Sequence, residues 1–299
     1  MPLAPDGMWY PEEIVPEQKG VHLDTSKMPI HVVIRDIDQV SAEEFTRSRR
    51  EGFGGSDSGV LCGVNPYTTL EELIIQKAQK ELTQEELETQ NEIAIMKGND
   101  LEPLIIEKAT KFLGSKVLKP SDTYEFNDYP YLRMNFDGVI KQIDGYHPVE
   151  IKVVTKKGMR HYDPSKAIYS ERGTWQRPPM LEASPNNSIL TKAAQVGIPP
   201  YYYTQVQDEM MACGTDWGFL CALFEATWQC HLFYIPRDPV VQNMIIVNGY
   251  KAWERVEALR MTNGYYNESY SKAEDTNVNS NSNQISEDDI AAAEESASY

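Results

Sequence analysis

Two β-rich runs joined by an Asp-Gly pair constrain the fold of this 299-residue chain more than any other feature. The runs cover residues 131–143 and 146–154, with Asp144-Gly145 between them. Asp-Gly between two such runs is among the strongest short-range signals for a β-hairpin. With Asp144-Gly145 as the loop, the register places Asp137 opposite Lys152. We therefore expect a sheet built around this hairpin.

The hairpin would gather three chemically useful side chains on one face. Side chains two residues apart on a strand share a face, and opposed Cβ atoms lie about 4.5 to 5.5 Å apart. Asp137, Glu150 and Lys152 would therefore project together. A divalent cation makes neighbouring carboxylates tolerable, and Mg²⁺ prefers carboxylate, water and phosphate oxygens. With a lysine beside them, the two acids are typical of phosphodiester cleavage.

The spacing leaves a structural alternative open. A Glu-x-Lys triplet also occurs at Glu17–Lys19, and cross-strand Asp–Lys pairs are often solvated salt bridges. The apolar residues Ile151, Val153 and Val154 favour the metal site, because they indicate a central strand, where unpaired charges are costly.

Charge and composition limit the partners. The net charge is -17, which argues against a uniformly nucleic-acid-binding surface. Residues 268–299 carry 8 acidic and 1 basic side chains, whereas residues 156–177 are basic. The basic residues there are Lys156, Lys157, Arg160, Lys166, Arg172 and Arg177. A basic loop on an acidic protein can still bind DNA locally.

Neither a cysteine metal site nor a membrane span is indicated. The four cysteines are too widely spaced for zinc or an iron–sulfur cluster, so we expect buried free thiols. These are Cys62, Cys213, Cys221 and Cys230. No apolar run approaches the roughly 18 to 20 residues of a membrane span, and the N-terminus lacks signal-peptide features, so we expect a cytoplasmic protein without membrane contact.

The chain divides into an arm, one domain and a tail. Prolines interrupt residues 1–40, where only Ile30–Ile34 predicts an edge strand. Residues 41–267 predict one α/β domain, with residues 156–200 as an irregular, basic, Pro-rich insertion, and the acidic tail 268–299 is too polar to order itself. A capping box opens a helix at Ser41. Further helices are predicted at 70–78, 99–112, 201–213 and 241–261, and strands at 217–224 and 229–235.

Glu102 has two interpretations. It lies in the segment Gly98–Pro103. Asn99 would cap a helix with Glu102 at its third position and Pro103 tolerated in its first turn. Alternatively, Glu102 is a third acidic group near the metal. The residues alone leave both interpretations open.

Six short motifs occur in an order that carries a family resemblance. They are Gly54-Gly55-Ser56-Asp57, Asn65-Pro66-Tyr67, Gly98-Asn99-x-Leu101-Glu102-Pro103, Asn135-Phe136-Asp137-Gly138, Glu150-Ile151-Lys152 and Tyr203-Thr204-Gln205-Val206-Gln207. Over roughly residues 45–260 the chain resembles the YqaJ-type viral recombinases, relatives of phage lambda exonuclease within the PD-(D/E)XK nucleases. The resemblance implies a restriction-endonuclease-like α/β core, with a central mixed β-sheet flanked by helices.

The resemblance also implies site residues. The metal ligands would be Asp137, Glu150, the Ile151 carbonyl and, through water or a second ion, Glu102. Lys152 would orient the attacking water, and Gln205 would complete the catalytic site. Arg49, Ser56 and Gln205 would line a pocket for a 5′-phosphate, with Arg47 or Arg50 as substitutes for Arg49. The alternatives are a turn hydroxyl for Ser56 and a solvated helix face for Arg49.

The segment after Lys152 is longer than is usual in this family and would form a basic lid or strand guide over DNA. Its DNA-binding candidates are Lys156, Lys157, Arg160, Arg172 and Trp175. Trp175 would stack on a base or, alternatively, pack the loop onto the domain.

The resemblance implies a Mg²⁺-dependent, ATP-independent 5′→3′ exonuclease on double-stranded DNA ends, with Mn²⁺ as a substitute metal. It would leave a 3′ single strand for a single-strand annealing recombinase. By analogy with lambda-type relatives, which form rings around DNA, the resemblance also implies a homotrimer. Two alternatives remain: an endonuclease of restriction or junction-resolving type, and a catalytically silent DNA-binding or scaffold module.

Overall fold

The structure is a computed structural model that describes residues 21–79, 93–170 and 188–262. Its helices are α1 (Ala42–Ser48), α2 (Ser58–Leu61), α3 (Leu70–Ala78), α4 (Ile93–Leu113), α5 (Ile189–Val196), α6 (Pro200–Cys213) and α7 (Pro239–Thr262). Its strands are β1 (Ile30–Ile34), β2 (Val117–Leu118), β3 (Thr123–Phe126), β4 (Arg133–Met134), β5 (Val139–Gln142), β6 (Gly145–Val154), β7 (Tyr169–Ser170), β8 (Trp217–Phe224) and β9 (Gln229–Pro236). Short 3-10 turns connect several of them.

A mixed sheet forms the centre of the described part of the chain. Its six strands follow the order β2-β5-β6-β8-β9-β7. β6 pairs antiparallel with β5 and parallel with β8, so it is a central strand, as its apolar residues indicated. Helix α6 precedes β8 in the connection from β6, since parallel neighbours need such a crossover.

Helices cover both faces of this sheet. Phe219, Cys221 and Leu223 alternate with Leu220, Ala222 and Phe224 along β8, and the two sets belong to different apolar clusters. The first set packs with Ile105 and Ala109 of α4, and the second with Val206 and Met210 of α6. The expected fold class, an α/β core with a central mixed sheet between helices, is confirmed.

A second sheet attaches residues before position 40 to this core. It has the order β1-β3-β4 within the described residues, and β1 lies at its edge, as predicted. Leu23, Met28 and Ile30 are buried in the main core. The described residues 21–40 are therefore part of the packed body, whereas residues 1–20 and the predicted tail 268–299 lie outside the described residues.

The predicted hairpin forms, but the register differs from our prediction. Val139 pairs with Pro148 and Gln142 with Gly145, so the turn is Ile143-Asp144 rather than Asp144-Gly145. A type I′ turn needs positive φ at both central residues, and Asp144 does not have it; Gly145 instead adopts φ 142°. The one-residue shift of the turn places Asp137 level with Glu150, where we expected Lys152.

Two further predictions need correction. Helix α4 begins at Ile93, so Glu102 lies inside the helix with Pro103, and the interpretation of Asn99 as the N-cap is wrong. The described parts of 156–200 are less irregular than expected, because they contain β7 and helix α5. Ser188 caps α5, and Ile189, Ala193 and Val196 bury one face at the helical period.

The predicted run 131–143 divides into β4 of the second sheet and β5 of the central sheet, and the other predicted elements are confirmed with small changes at their ends. The Ser41 hydroxyl accepts from the Glu44 amide, which is one of the two hydrogen bonds of the predicted capping box, and α3 spans the predicted residues. The cysteines are free, three buried and Cys62 partly buried. No helix among the described residues is long and apolar enough to cross a membrane.

Candidate active site

The structure brings Asp137, Glu150 and Lys152 together on one face of the central hairpin. The Lys152 ammonium lies 3.5 Å from Asp137 Oδ2 and contacts Glu150 Oε1. Asp137 lies just before β5, and its Oδ2 accepts a hydrogen bond from the Ile151 amide at 3.2 Å. Glu150 is only 1% exposed. One face of the hairpin therefore holds two acids with a single ammonium between them.

Burial and charge perturb both partners of this ion pair. Burial, followed by the negative charge of Asp137, raises the pKa of Glu150 to about 7, and Lys152 opposes that shift. Burial disfavours the Lys152 ammonium, but the charges of Glu150 and Asp137 outweigh it and raise the pKa of Lys152. The site thus favours a cation beside its carboxylates.

Gln205 extends the site across the first turns of α6. Its side-chain amide donates to Glu150 Oε1 at 2.6 Å and to Glu209 Oε1 at 3.3 Å. Glu209 is buried, and this burial, followed by the charge of Glu150, raises the pKa of Glu209 well above its usual range. Our sequence analysis missed Glu209, although its position four residues after Gln205 would have indicated a shared helix face.

Glu102 faces the same region from α4 but has a partner of its own. The Lys119 ammonium lies 2.6 Å from Glu102 Oε1. Burial raises the pKa of Glu102 despite Lys119, and the charge of Asp137 raises it further. Glu102 is thus within electrostatic reach of Asp137, and Lys119 neutralises it in this structure.

The residues present fit a hard divalent cation. Glu150 Oε2 is buried and accepts no hydrogen bond from a donor among the described residues. Asp137 is partly exposed, and the ammonium of Lys152 already serves as a cation between Asp137 and Glu150. Carboxylate oxygens of this kind are the ligands that Mg²⁺ takes alongside water and phosphate.

A second group of possible ligands has a structural explanation. His22, Asp36 and Asp122 bring ligand atoms within 4.8 Å of one another. However, the Asp122 carboxylate accepts hydrogen bonds from the Arg35 guanidinium and the Asp36 amide, in addition to its contact with His22. These contacts already compensate the buried charge of Asp122, so they describe an ion-pair cluster that anchors the second sheet.

Arg49 and Ser56 form the pair that we expected in a phosphate pocket. Arg49 Nη2 donates to Ser56 Oγ at 3.1 Å. Of the two substitutes, Arg47 pairs with Glu43, and Arg50 is buried and donates to the Gln79 carbonyl. A Cβ on Gly55, beside Ser56, would lie 3.5 Å from Gln205 Cγ. The Arg49–Ser56 pair therefore adjoins the residue that contacts Glu150.

A buried ion pair holds this segment in place. The Lys77 ammonium lies 2.7 Å from Asp57 Oδ2 and donates to the carbonyls of Arg49 at 2.6 Å and Gly52 at 2.8 Å. Burial disfavours the Asp57 carboxylate, but Lys77, Arg49 and the Gly54 amide together outweigh it and lower the pKa of Asp57. Sequence analysis missed Lys77, because its periodic position on α3 gives no signal for such distant partners.

The basic residues after β6 are only partly described. Lys156, Lys157 and Arg160 are exposed around the 3-10 turn Gly158–His161, a few residues beyond Lys152. Arg172 and Trp175, the other predicted DNA contacts, lie outside the described residues.

The family of the chain is shown by its sequence. A family model for the YqaJ-like viral recombinase domain matches residues 44–216, more than half of the chain. The protein therefore belongs to the YqaJ-like viral recombinase family. No curated protein matches the chain.

Solved structures with similarity to the chain include two bacterial exonucleases. An alkaline exonuclease (LHK-Exo) from Laribacter hongkongensis is 15% identical over 75% of this chain and 99% of its own, with a TM-score of 0.44, and its complex with dAMP gives the same values. A phage related exonuclease from Haemophilus somnus 129PT is 14% identical over 76% of this chain and 98% of its own, with a TM-score of 0.36.

Proposed function

We propose that this protein is a Mg²⁺-dependent, ATP-independent exonuclease that degrades double-stranded DNA ends in the 5′→3′ direction. The observation that carries the proposal is the cluster of Asp137, Glu150 and Lys152 on a central hairpin. Membership of a viral recombinase family supports a role at recombining DNA ends. We further propose that the catalytic domain spans 41–267, with residues 21–40 packed onto it and an acidic tail after it.

Asp137, Glu150 and the Ile151 carbonyl would hold the metal, with Glu102 as a more distant ligand through water or a second ion. When bound, a divalent ion polarises the phosphate, lowers the pKa of water and stabilises the leaving 3′-oxygen. Mn²⁺ would substitute, because it accepts the same oxygen ligands.

The chain's own residues supply orientation and charge. Displaced from between the carboxylates, the Lys152 ammonium would donate a hydrogen bond to the attacking water and offset charge on the phosphate. Gln205 already donates to Glu150 and would keep that carboxylate oriented. Buried Glu150 and Glu209 would exclude bulk water from beneath the reacting phosphate.

The proposed 5′→3′ direction of degradation rests on the Arg49–Ser56 pair. A guanidinium, a hydroxyl and the Gln205 amide offer donors suited to a terminal phosphate dianion. A 5′-phosphate held there would leave the adjoining phosphodiester near Asp137 and Glu150. Exposed Lys156, Lys157 and Arg160, together with Arg172 and Trp175, would contact the DNA beyond the site.

The test is a nuclease assay on linear duplex labelled at either the 5′ or the 3′ end, with and without Mg²⁺ and without ATP. The proposal predicts mononucleotide release from 5′-phosphorylated ends only when metal is present. Equal cleavage of closed circular duplex would instead identify an endonuclease. Full activity of Asp137→Asn and Lys152→Met variants would refute the assigned site.

A partner follows from the product. Removal of one strand from its 5′ end leaves a 3′ single strand, so we propose that a single-strand annealing recombinase acts next. A homotrimer that encloses the DNA would keep the enzyme on its substrate. Pull-down with such an annealing protein and light scattering of the purified chain test the two points separately.

A further inference from the structure

An exposed aromatic surface adjoins the candidate active site and has no role in the chemistry proposed above. Tyr67 is 75% exposed, although it belongs to a tightly held loop. The Asn65 side chain accepts hydrogen bonds from the amides of Tyr67 at 2.8 Å and Thr68 at 3.2 Å. The loop is therefore rigid enough to present the Tyr67 ring in a fixed position.

The aromatic surface continues from Tyr67 to the first turn of α6. Its ring packs edge-on against Tyr201, with centroids 5.8 Å apart, and Tyr201 packs against Tyr202 at 4.5 Å. The Lys152 ammonium lies 5.3 Å from the centroid of the Tyr202 ring. Three tyrosines thus form a path from solvent to the catalytic lysine, and we refer to Tyr67 and Tyr201 as the tyrosine ledge.

Close packing of α2 against α6 sets the position of the ledge. A Cβ on Gly59 would lie only 2.8 Å from Tyr201 Cβ and 3.6 Å from Asn65 Cβ. Four residues earlier, Gly55 faces Gln205. The two glycines therefore hold the phosphate-pocket segment and the Tyr67 loop against the same face of α6, one turn apart.

The spacing along α6 relates the ledge to a bound DNA end. Tyr201 and Gln205 are four residues apart, slightly more than one helical turn, which is about 6 Å along the axis. A single nucleotide can span this step, with its phosphate at Arg49 and Ser56 and its base beside the tyrosines. Aromatic rings stack on any base, because every base has a π-face, and such stacking suits a nuclease without sequence preference.

We propose that the tyrosine ledge binds the unpaired terminal base of the strand being degraded. The inference rests on the proposed exonuclease function and adds a binding site to it. Stacking of that base on the Tyr67 ring, with its edge against Tyr201, would separate it from its complement and keep the terminal nucleotide in register with the metal site. The ligand is a nucleobase of any sequence.

The test combines a protein change with a substrate change. Affinity is measured by anisotropy with Ca²⁺ in place of Mg²⁺, for a 5′-phosphorylated duplex whose terminal nucleotide is either intact or abasic. We expect Tyr67→Ala to weaken binding of the intact end about fivefold to a hundredfold and to leave the abasic end unchanged. Tyr67→Phe, which keeps the ring, should bind as the parent does.

Ile143→Ala is the control for loss of an exposed apolar side chain, because Ile143 is fully exposed on the β5–β6 turn, at the opposite end of β6 from Lys152. It should bind both ends like the parent. If Tyr67→Ala weakened binding of both ends equally, or of neither, the ledge would not bind the terminal base. The exonuclease proposal would still stand if the parent protein cleaved 5′-phosphorylated ends. Loss of self-association without loss of DNA affinity would instead make Tyr67 a protein contact. A parent without affinity for DNA ends would overturn both proposals.

Discussion

Lys152 is the residue whose substitution should separate catalysis from binding most clearly. We expect Lys152→Met to lower the cleavage rate by about 10² to 10³-fold, the usual effect of removing a hydrogen-bond donor aimed at charge that develops in the transition state. Affinity for DNA ends in Ca²⁺ should change little, since methionine keeps most of the side-chain volume. The measurement is single-turnover cleavage of a 5′-labelled duplex, together with anisotropy.

Lys111→Met is the control for this variant, because Lys111 is exposed on α4 and pairs with Glu107 on the same helix. It should cleave at the parent rate. A Lys152→Met protein that cleaves equally fast would exclude Lys152 from the chemistry.

Arg49 should determine the preference for a 5′-phosphate. A charge-assisted hydrogen bond contributes about 1.5 to 3 kcal/mol, so Arg49→Ala should lower kcat/KM about 10 to 100-fold on 5′-phosphorylated ends. Ends with a 5′-hydroxyl should be unaffected. Arg49→Lys should restore little, because an ammonium cannot present the same fork of donors.

Arg47→Ala controls for loss of charge, since Arg47 forms an ion pair with Glu43 on the same helix. A uniform loss on both kinds of end in Arg49→Ala would indicate a general DNA contact rather than a phosphate pocket.

Sequence identified the residues that strand geometry brings together and missed those that only the tertiary fold brings together. Asp137, Glu150 and Lys152 lie within fifteen residues on a hairpin whose period is fixed. Lys119 contacts Glu102 and Lys77 contacts the Arg49 carbonyl, but the members of each pair are far apart in sequence. No local sequence pattern indicates such pairs. The choice among Arg47, Arg49 and Arg50 likewise required the structure.

At the scale of the elements, the hairpin shows how a wrong turn can leave a site prediction intact. The observed turn lies one residue earlier than expected, which exchanges the partner of Asp137 but not its face. Glu150 and Lys152 remain two residues apart, so they still project with Asp137. The start of α4 was not predictable in the same way, because Gly98-Asn99 resembles a helix start although the helix runs through both residues from Ile93.

The contact between α2 and α6 gives a prediction about packing. Alanine at position 59 would place its Cβ 2.8 Å from Tyr201 Cβ and 3.2 Å from Tyr201 Cα. Overpacking of this kind typically costs about 1 to 3 kcal/mol, which exceeds the gain of up to about 1 kcal/mol from glycine to alanine in a helix. We expect Gly59→Ala to lower the free energy of unfolding in urea and to reduce cleavage.

Gly158→Ala provides the comparison, because its Cβ would make ordinary contacts of 3.4 and 3.5 Å. It should unfold near the parent midpoint. If Gly59→Ala were as stable as the parent, the two helices would have room to separate, and the close approach would not position the site.

At the scale of the whole molecule, buried acids couple folding to pH and to metal. Burial is the main cause that raises the pKa of Glu150 and of Asp208, each to about 7, while Ser58 donates to Asp208 at 2.7 Å. Their unfolded pKa values lie near 4, so between about pH 4 and 7 the folded state holds more protons than the unfolded state. The contribution of these two acids to stability is therefore greatest below that range and falls as pH rises to about 7.

We expect the melting temperature of the metal-free protein to fall from pH 5 to pH 8, because each acid lowers the free energy of unfolding by at most about 1.4 kcal/mol per pH unit. A divalent ion binds the ionised carboxylates, so Mg²⁺ should raise the melting temperature more at pH 8 than at pH 6. Calorimetry over this range, with EDTA or Mg²⁺, measures both effects.

Glu150→Gln should reduce the pH dependence of the melting temperature and abolish the stabilisation by Mg²⁺. Asp208→Asn should reduce the pH dependence of stability but keep the stabilisation by Mg²⁺, because Asp208 contacts Ser58 and is not a proposed metal ligand. A gain from Mg²⁺ that survives Glu150→Gln would place the metal elsewhere on the protein.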